Sequence, residues 1–258
     1  MEITLVQGLL LALIAFIGSI DQQMEVFLIF RPIIVCFFSG IVLGDVQLGL
    51  SSGAVAELAY LGLLTIGGTV PPNPLIAGIM TTVIAYTSGV SAEAALGLSL
   101  PFALLGQWIG MILSTLYSGL MKFADDICAR GDVAALGRLI ALAAFGKALV
   151  SAVVIFLSAY LIQEPITVLV SQFPEWLIHG FRVAGNLLPG VGLALLLKVM
   201  LKVDNVAYLF IGFIIATYVE MGNVLPIAII AVCITFLSYI NSKDRQAYDV
   251  GGVDDDGI

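Results

Sequence analysis

Residues 67–74 read Gly67-Gly68-Thr69-Val70-Pro71-Pro72-Asn73-Pro74, and they stand inside a stretch, residues 58 to 92, that carries no charged side chain. Each proline lacks an amide donor and drives its ring against the preceding turn, so the segment cannot continue as α-helix. So long an uncharged stretch points to hydrocarbon surroundings, yet hydrocarbon offers an open backbone nothing to bond. Irregular backbone at membrane depth is tolerated only where protein buries it or where it lines a watery cavity. The other reading is a hairpin loop outside the membrane, between two spans. Both readings put the chain in a membrane.

The flanking sequence agrees. Apolar residues make up 60% of the 258 positions and charged residues 11%, against about 25% charged in soluble domains. Mean hydropathy is +1.12. Further uncharged runs cover residues 3 to 20, 94 to 121, 148 to 163, 183 to 197, 205 to 219 and 221 to 242, with shorter pieces at 32 to 44 and 46 to 56. A helix crossing ~30 Å of hydrocarbon needs about 20 residues, so several of these runs are too short or too broken to be simple spans. The expected fold is an all-α integral membrane protein, a multi-span helical bundle with broken or re-entrant segments.

A second Gly/Pro-rich stretch, Gly185-Asn186-Leu187-Leu188-Pro189-Gly190-Val191-Gly192, lies in the other half of the chain. Interruptions placed in both halves accompany inverted repeats and point to a transporter's binding site. Extramembrane loops are the alternative for both. The charged stretch Lys122 to Lys147 divides the chain, giving a membrane half at 1–121 broken at 67–74, a cytoplasmic connecting segment at 122–147, a second membrane half at 148–242 and an acidic tail at 243–258. Lys and Arg cluster at 122 to 147, at Lys198 and Lys202, and at Lys243 and Arg245. Basic loops favour the cytoplasm, and one pair of crossings between successive clusters places all three there, with the C-terminus inside.

Several classes drop out. The net charge of −8 owes much to Asp249, Asp254, Asp255 and Asp256 of the tail, which read as a solvated end, and with no basic patch nucleic-acid binding has no support. Cys36, Cys128 and Cys233 are odd in number and far apart, fitting neither a disulfide framework nor a metal cluster. Residues 1 to 20 lack a basic n-region and read as a retained helix. No phosphate-binding Gly loop, metal-ligand spacing or Ser/His/Asp set stands out, so neither a cofactor nor a resident metal is expected.

Arg31-Pro32, Gly40, Leu43-Gly44-Asp45, Gly49, Gly53, Glu57 and Leu61-Gly62 together resemble the N-terminal signature of the IIC membrane component of the mannose/fructose/sorbose family of bacterial sugar phosphotransferase systems. The likeness continues through residues 67–74, Pro101 to Gln107, Asp125 and Asp126, Pro174 to Leu177 with Gly180, Ala184 to Gly192, and the ending Asp256-Gly257-Ile258. Pro71-Pro72-Asn73-Pro74 and that ending look most like the N-acetylgalactosamine and galactosamine branch. Ser52 departs from the pattern, standing where the family usually has a glycine.

The resemblance implies a sugar-translocating subunit in the bacterial inner membrane, working with a second membrane subunit, IID, and with cytoplasmic IIA and IIB phosphocarriers. It further implies trimers of IIC–IID pairs and an elevator-like movement of a core domain. Phosphorylation would belong to IIB, not to this chain.

Glu57 is the leading candidate for contact with sugar, since an ionised carboxylate at the membrane centre costs at least ~2.5 kcal/mol unless paired or hydrated. A structural pairing, with Arg31 as partner, is the alternative. Asn73 offers donors and an acceptor beside prolines that fix its backbone, or else is a turn residue facing water. Thr69 in the broken segment, Asp21 in the polar cluster after the first apolar run, and Gln107 complete the set; an interfacial loop explains Asp21 equally well, and a helix-helix hydrogen bond explains Gln107. Arg31 and Asp45 suit snorkelling and helix capping. His179, the single histidine, falls on the non-cytoplasmic side of this topology and reads as interfacial.

Sugar translocation coupled to phosphorylation by IIB is thus the expected function, for N-acetylgalactosamine or galactosamine, or alternatively for mannose, sorbose or another hexose. An ion-coupled secondary transporter would use buried carboxylates without IIB or IID. A membrane scaffold acting through 122 to 147 would leave the broken segments and Glu57 without purpose.

Overall fold

In the computed structural model of the chain, residues 2–62, 71–161, 174–202, 206–218 and 225–250 are described, with backbone alone at 161 and 241–250. Thr69, with the first half of the 67–74 segment, and residues 251–258 lie outside them. The described residues are mostly helical with no strand among them, and they form two units, residues 1–199 and 200–258.

The first unit opens with α1 (Leu5–Met24), whose start is a capping box in which Thr4 and Gln7 satisfy one another's end groups. Two short helices follow, α2 (Pro32–Leu43) and α3 (Val46–Tyr60). At 12 and 15 residues they extend about 18 and 22 Å, so neither reaches across ~30 Å of hydrocarbon. They fold back on one another at Gly44, whose φ of 83° is open to glycine, and Asp45 caps α3 by accepting the Leu48 amide at 2.9 Å, the role its position suggested. The pair then cross in backbone contact: a Cβ on Gly40 would lie 2.8 Å from the Gly49 Cα.

α4 (Pro74–Ser88) is the hub. Every residue from Leu75 to Ala85 is buried, as a helix apolar all round must be, and α1, α2, α3, α5 and α7 pack about it. Pro74 occupies its first turn, where a missing amide costs nothing. Gly89, at φ 64°, ends it, and Ser91 caps α5 (Ala92–Ser118). A short α6 (Met121–Ala129) leads to α7 (Val133–Phe156), which continues as a π-turn over Leu157–Leu161. α1 and α7 run antiparallel, with Gly8 against Tyr160 and the Ser19 and Ser151 hydroxyls 3.1 Å apart.

Two boundaries differ from the sequence reading. α7 begins at Val133, within the 122–147 stretch assigned to a connecting segment, because Asp132 caps it through the Ala135 amide and an Ala/Leu-rich run follows. The second expected interruption is absent: α8 (Glu175–Met200) passes through Pro189 unbroken. A single proline removes one donor and can kink a helix without ending it. The glycines there serve packing instead, since Gly185 lies against the Glu93 carbonyl and Gly192 against the carbonyls of Leu58 and Ala59.

The second unit holds α9 (Val206–Tyr218) and α10 (Leu225–Val250), joined by Tyr208 and Ser238 at 3.4 Å. α10 runs on to Val250, inside the segment expected as a solvated tail. Among the described residues four helices are long and apolar enough to cross a membrane: α1, α5, α7 with its π-turn, and α8.

Candidate functional site

Of the residues singled out from sequence, Glu57 and Asn73 stand at the ends of α3 and α4, Asp21 lies in the last turn of α1 and Gln107 within α5. Arg31 is the cap residue of α2 and Glu57 lies in the last turn of α3. The Arg31 Nε donates to Glu57 Oε1 at 2.7 Å and the guanidinium Nη2 reaches the same oxygen, while Glu57 Oε2 accepts the Ile33 amide at 3.2 Å. The carboxylate is therefore both neutralised and used to cap α2. With side chains 26% and 17% exposed, the two charges are sheltered but reachable. The α2–α3 hairpin is thus clasped at both ends, by the Gly44-Asp45 turn and by this pair.

Asn73 caps α4: its Oδ1 accepts the amides of Leu75 at 3.0 Å and Ile76 at 3.3 Å. Its own backbone amide donates to the Ala103 carbonyl of α5 at 3.1 Å, and Gly106 provides the space for it, since a Cβ there would lie 3.2 Å from that of Asn73. The side-chain NH2 of Asn73 has no partner among the described residues. Gln107 is half-buried on the next position of α5 and is itself engaged.

Asp21 is 5% exposed, and both its oxygens are taken by loop amides, Phe27 at 2.8 Å and Ile29 at 2.5 Å. It organises the loop that carries Glu25 and Leu28 at positive φ. No hydrogen bond joins Glu57 to Asn73 among the described residues; α4 packs on both α2 and α3, with Gly78 facing the Pro32 Cα. His179 is exposed on α8. Among the described residues no cluster of His, Cys, Asp or Glu could hold a metal.

Sequence reasoning passed over the Tyr60 hydroxyl and noted Ser52 only as a departure from the family pattern. Ser52 Oγ and Tyr60 Oη are buried on α3 and have no hydrogen-bond partner among the described residues. The available signal was position: Tyr60 stands one helical turn beyond Glu57.

Four helices long and apolar enough to cross a membrane, short helices that fold back on one another and polar groups held at helix ends fit a multi-span membrane protein. The family described as PTS system sorbose-specific IIC component matches residues 5–237. The N-acetylgalactosamine permease IIC component 1 of Escherichia coli (strain K12) is 45% identical over 245 residues, 95% of this chain and 92% of that one. A solved structure described only as a membrane protein matches with a TM-score of 0.84 at 27% identity, covering 93% of this chain and 97% of its own. A chain of the mannose transporter ManYZ in complex with microcin E492 matches at 0.59, with the same identity and coverage. The chain belongs to the sorbose-type IIC family of sugar phosphotransferase permeases. It is a helical inner-membrane transport subunit of a complex that handles sugar.

Proposed function

We propose that this chain translocates N-acetylgalactosamine, with galactosamine as a related substrate, for phosphorylation by a partner IIB. The observation that carries the reading is the 45% identity with the N-acetylgalactosamine permease component over nearly the whole chain, against 27% with the mannose transporter. A IID subunit in the membrane, a IIA phosphocarrier and trimers of IIC–IID pairs complete the proposal, which draws support from the paired naming of the ManYZ neighbour.

Within the chain, Asn73 is the proposed contact, because its amide NH2 remains available after capping α4. Glu57 contributes through the hairpin it clasps and through the remaining lone pairs of its carboxylate. Gln107 and Thr69 flank Asn73 along α5 and along the chain. Asp21 acts through the loop it holds. The clasped hairpin moves as one body in an elevator-type cycle, since its two helices are tied at both ends. The connecting residues between α5 and α7 and the C-terminus face the cytoplasm, where IIB docks. Uptake of labelled sugar in cells with and without IIB tests the reading: sugar phosphate that depends on IIB supports it, and free sugar accumulating without IIB overturns it.

A further inference from the structure

Between α3, α4 and α5 the interior holds Ala56, Ala59, Ala77 and Ala103 with the larger Leu96, and Tyr60 lies among them. Tyr60 is 4% exposed, and its hydroxyl has no partner. A phenylalanine would fill the same space without leaving a polar atom buried and unpaired, a state that costs stability. The neighbouring hydroxyls are satisfied: Thr81 donates to the Ala77 carbonyl at 2.7 Å and pairs with Ser99 Oγ at 3.0 Å.

Ala103 of α5 is linked to both Tyr60 and Asn73. Its side chain belongs to the cluster around Tyr60, and its carbonyl accepts the Asn73 amide. Two groups with hydrogen-bonding capacity left over among the described residues therefore belong to the neighbourhood of α5, one through the cluster that holds Ala103 and one through the Ala103 carbonyl. A phenol donates once and accepts, and a side-chain amide donates twice. A few such groups in an otherwise apolar setting are what orient a small ligand, and a hexose presents hydroxyls that match both.

We propose that the Tyr60 hydroxyl is a sugar-contacting, specificity-determining group that works with the Asn73 amide; this rests on the reading of the chain as the sugar-translocating subunit. The seam must open for contact to occur, and half-buried Leu188 of α8, packed against the cluster, is the side chain that moves aside.

The test is Tyr60→Phe in the complete transport system, with uptake kinetics read beside the thermal midpoint of the purified protein. The sugar is whichever the wild type phosphorylates among N-acetylgalactosamine, galactosamine, mannose and sorbose. A wild type that takes another of these overturns the specificity reading and leaves the role of Tyr60 measurable; one that takes none overturns both. The expected result is a KM raised about tenfold, the worth of one hydrogen bond, with protein level unchanged. Ser52→Ala, which removes the other unpaired hydroxyl of α3, serves as control and leaves KM as it was. An unchanged KM with a raised thermal midpoint for Tyr60→Phe makes the hydroxyl a mere packing defect and ends the proposal. Hydrogen exchange of the wild type gives a second measurement: saturating sugar slows exchange across residues 56 to 60 if the proposal holds and leaves it unchanged if it does not.

Discussion

Arg31 and Glu57 are separated by 26 residues in sequence, and the guanidinium meets the carboxylate side-on, its Nε 2.7 Å from Oε1. The pair cancels the charge that Glu57 carries into an apolar bundle. It also joins the first turn of α2 to the last turn of α3, closing the hairpin opposite its Gly44 turn.

Removing one partner leaves a sheltered charge alone. Glu57→Gln and Arg31→Ala each lower stability by about 2 kcal/mol, less than the 3–5 kcal/mol of a fully buried pair because water reaches both groups. The double variant Arg31→Ala/Glu57→Ala loses less than the sum of its single changes. Thermal midpoints of the purified complex measure this, and additive losses would mean that the two residues act independently.

Gly40 and Gly49 are not interchangeable with alanine. A Cβ on Gly49 would lie 2.6 Å from the Cys36 carbonyl and 2.8 Å from the Gly40 Cα, so Gly49→Ala forces α2 and α3 apart and costs about 1–3 kcal/mol as an overpacked core does. Gly44→Ala meets no atom within 4 Å and bears only the left-handed backbone strain, about 1–2 kcal/mol. Accumulation of folded protein falls furthest for the Gly49 variant.

Asn73 combines two roles that substitution separates. Asn73→Asp retains the cap of α4 and loses the amide donors, so stability holds while sugar uptake falls about tenfold. Asn73→Ala loses both and in addition drops stability by about 1 kcal/mol. Equal uptake by wild type and the Asp variant would remove Asn73 from the proposed contacts.

Ser52→Ala removes a buried hydroxyl that bonds to nothing. Stability rises by about 1 kcal/mol, since the penalty of an unsatisfied group disappears and alanine favours the helix. A lowered midpoint would show that the hydroxyl has a partner in the membrane.

Asp21→Asn leaves one of two loop amides, Phe27 or Ile29, without its carboxylate acceptor. Hydrogen exchange at residues 25 to 29 quickens, while KM for uptake stays unchanged, because the carboxylate is buried at 5% exposure with both oxygens on loop amides.

The membrane class and much of the helix order were legible, because uncharged runs, prolines and caps are local signals. Pro74 after Asn73, and Asp45 after Gly44, mark helix starts that any reader of the sequence can find. Pro189 misled for a physical reason: the same Gly/Pro composition serves an open segment and a continuous helix in close contact with its neighbours, and only packing against Glu93, Leu58 and Ala59 separates them. The Ala-rich spacing after Asp132 suggested a helix within 122–147, and the charges there hid that it runs on to Phe156. In the site, Glu57 invited two readings because sequence does not say which carboxylates find a cation. Asp21 depends on the positive φ of Glu25 and Leu28, which no pattern announces. Tyr60 carried no flag beyond its place one turn after Glu57.

The most direct measurement is uptake of radiolabelled N-acetylgalactosamine by cells expressing this chain with IID, IIA and IIB, set against cells lacking IIB. The account predicts label accumulating as sugar phosphate, and none without IIB. Free sugar accumulating regardless of IIB would contradict it and make the chain an autonomous transporter.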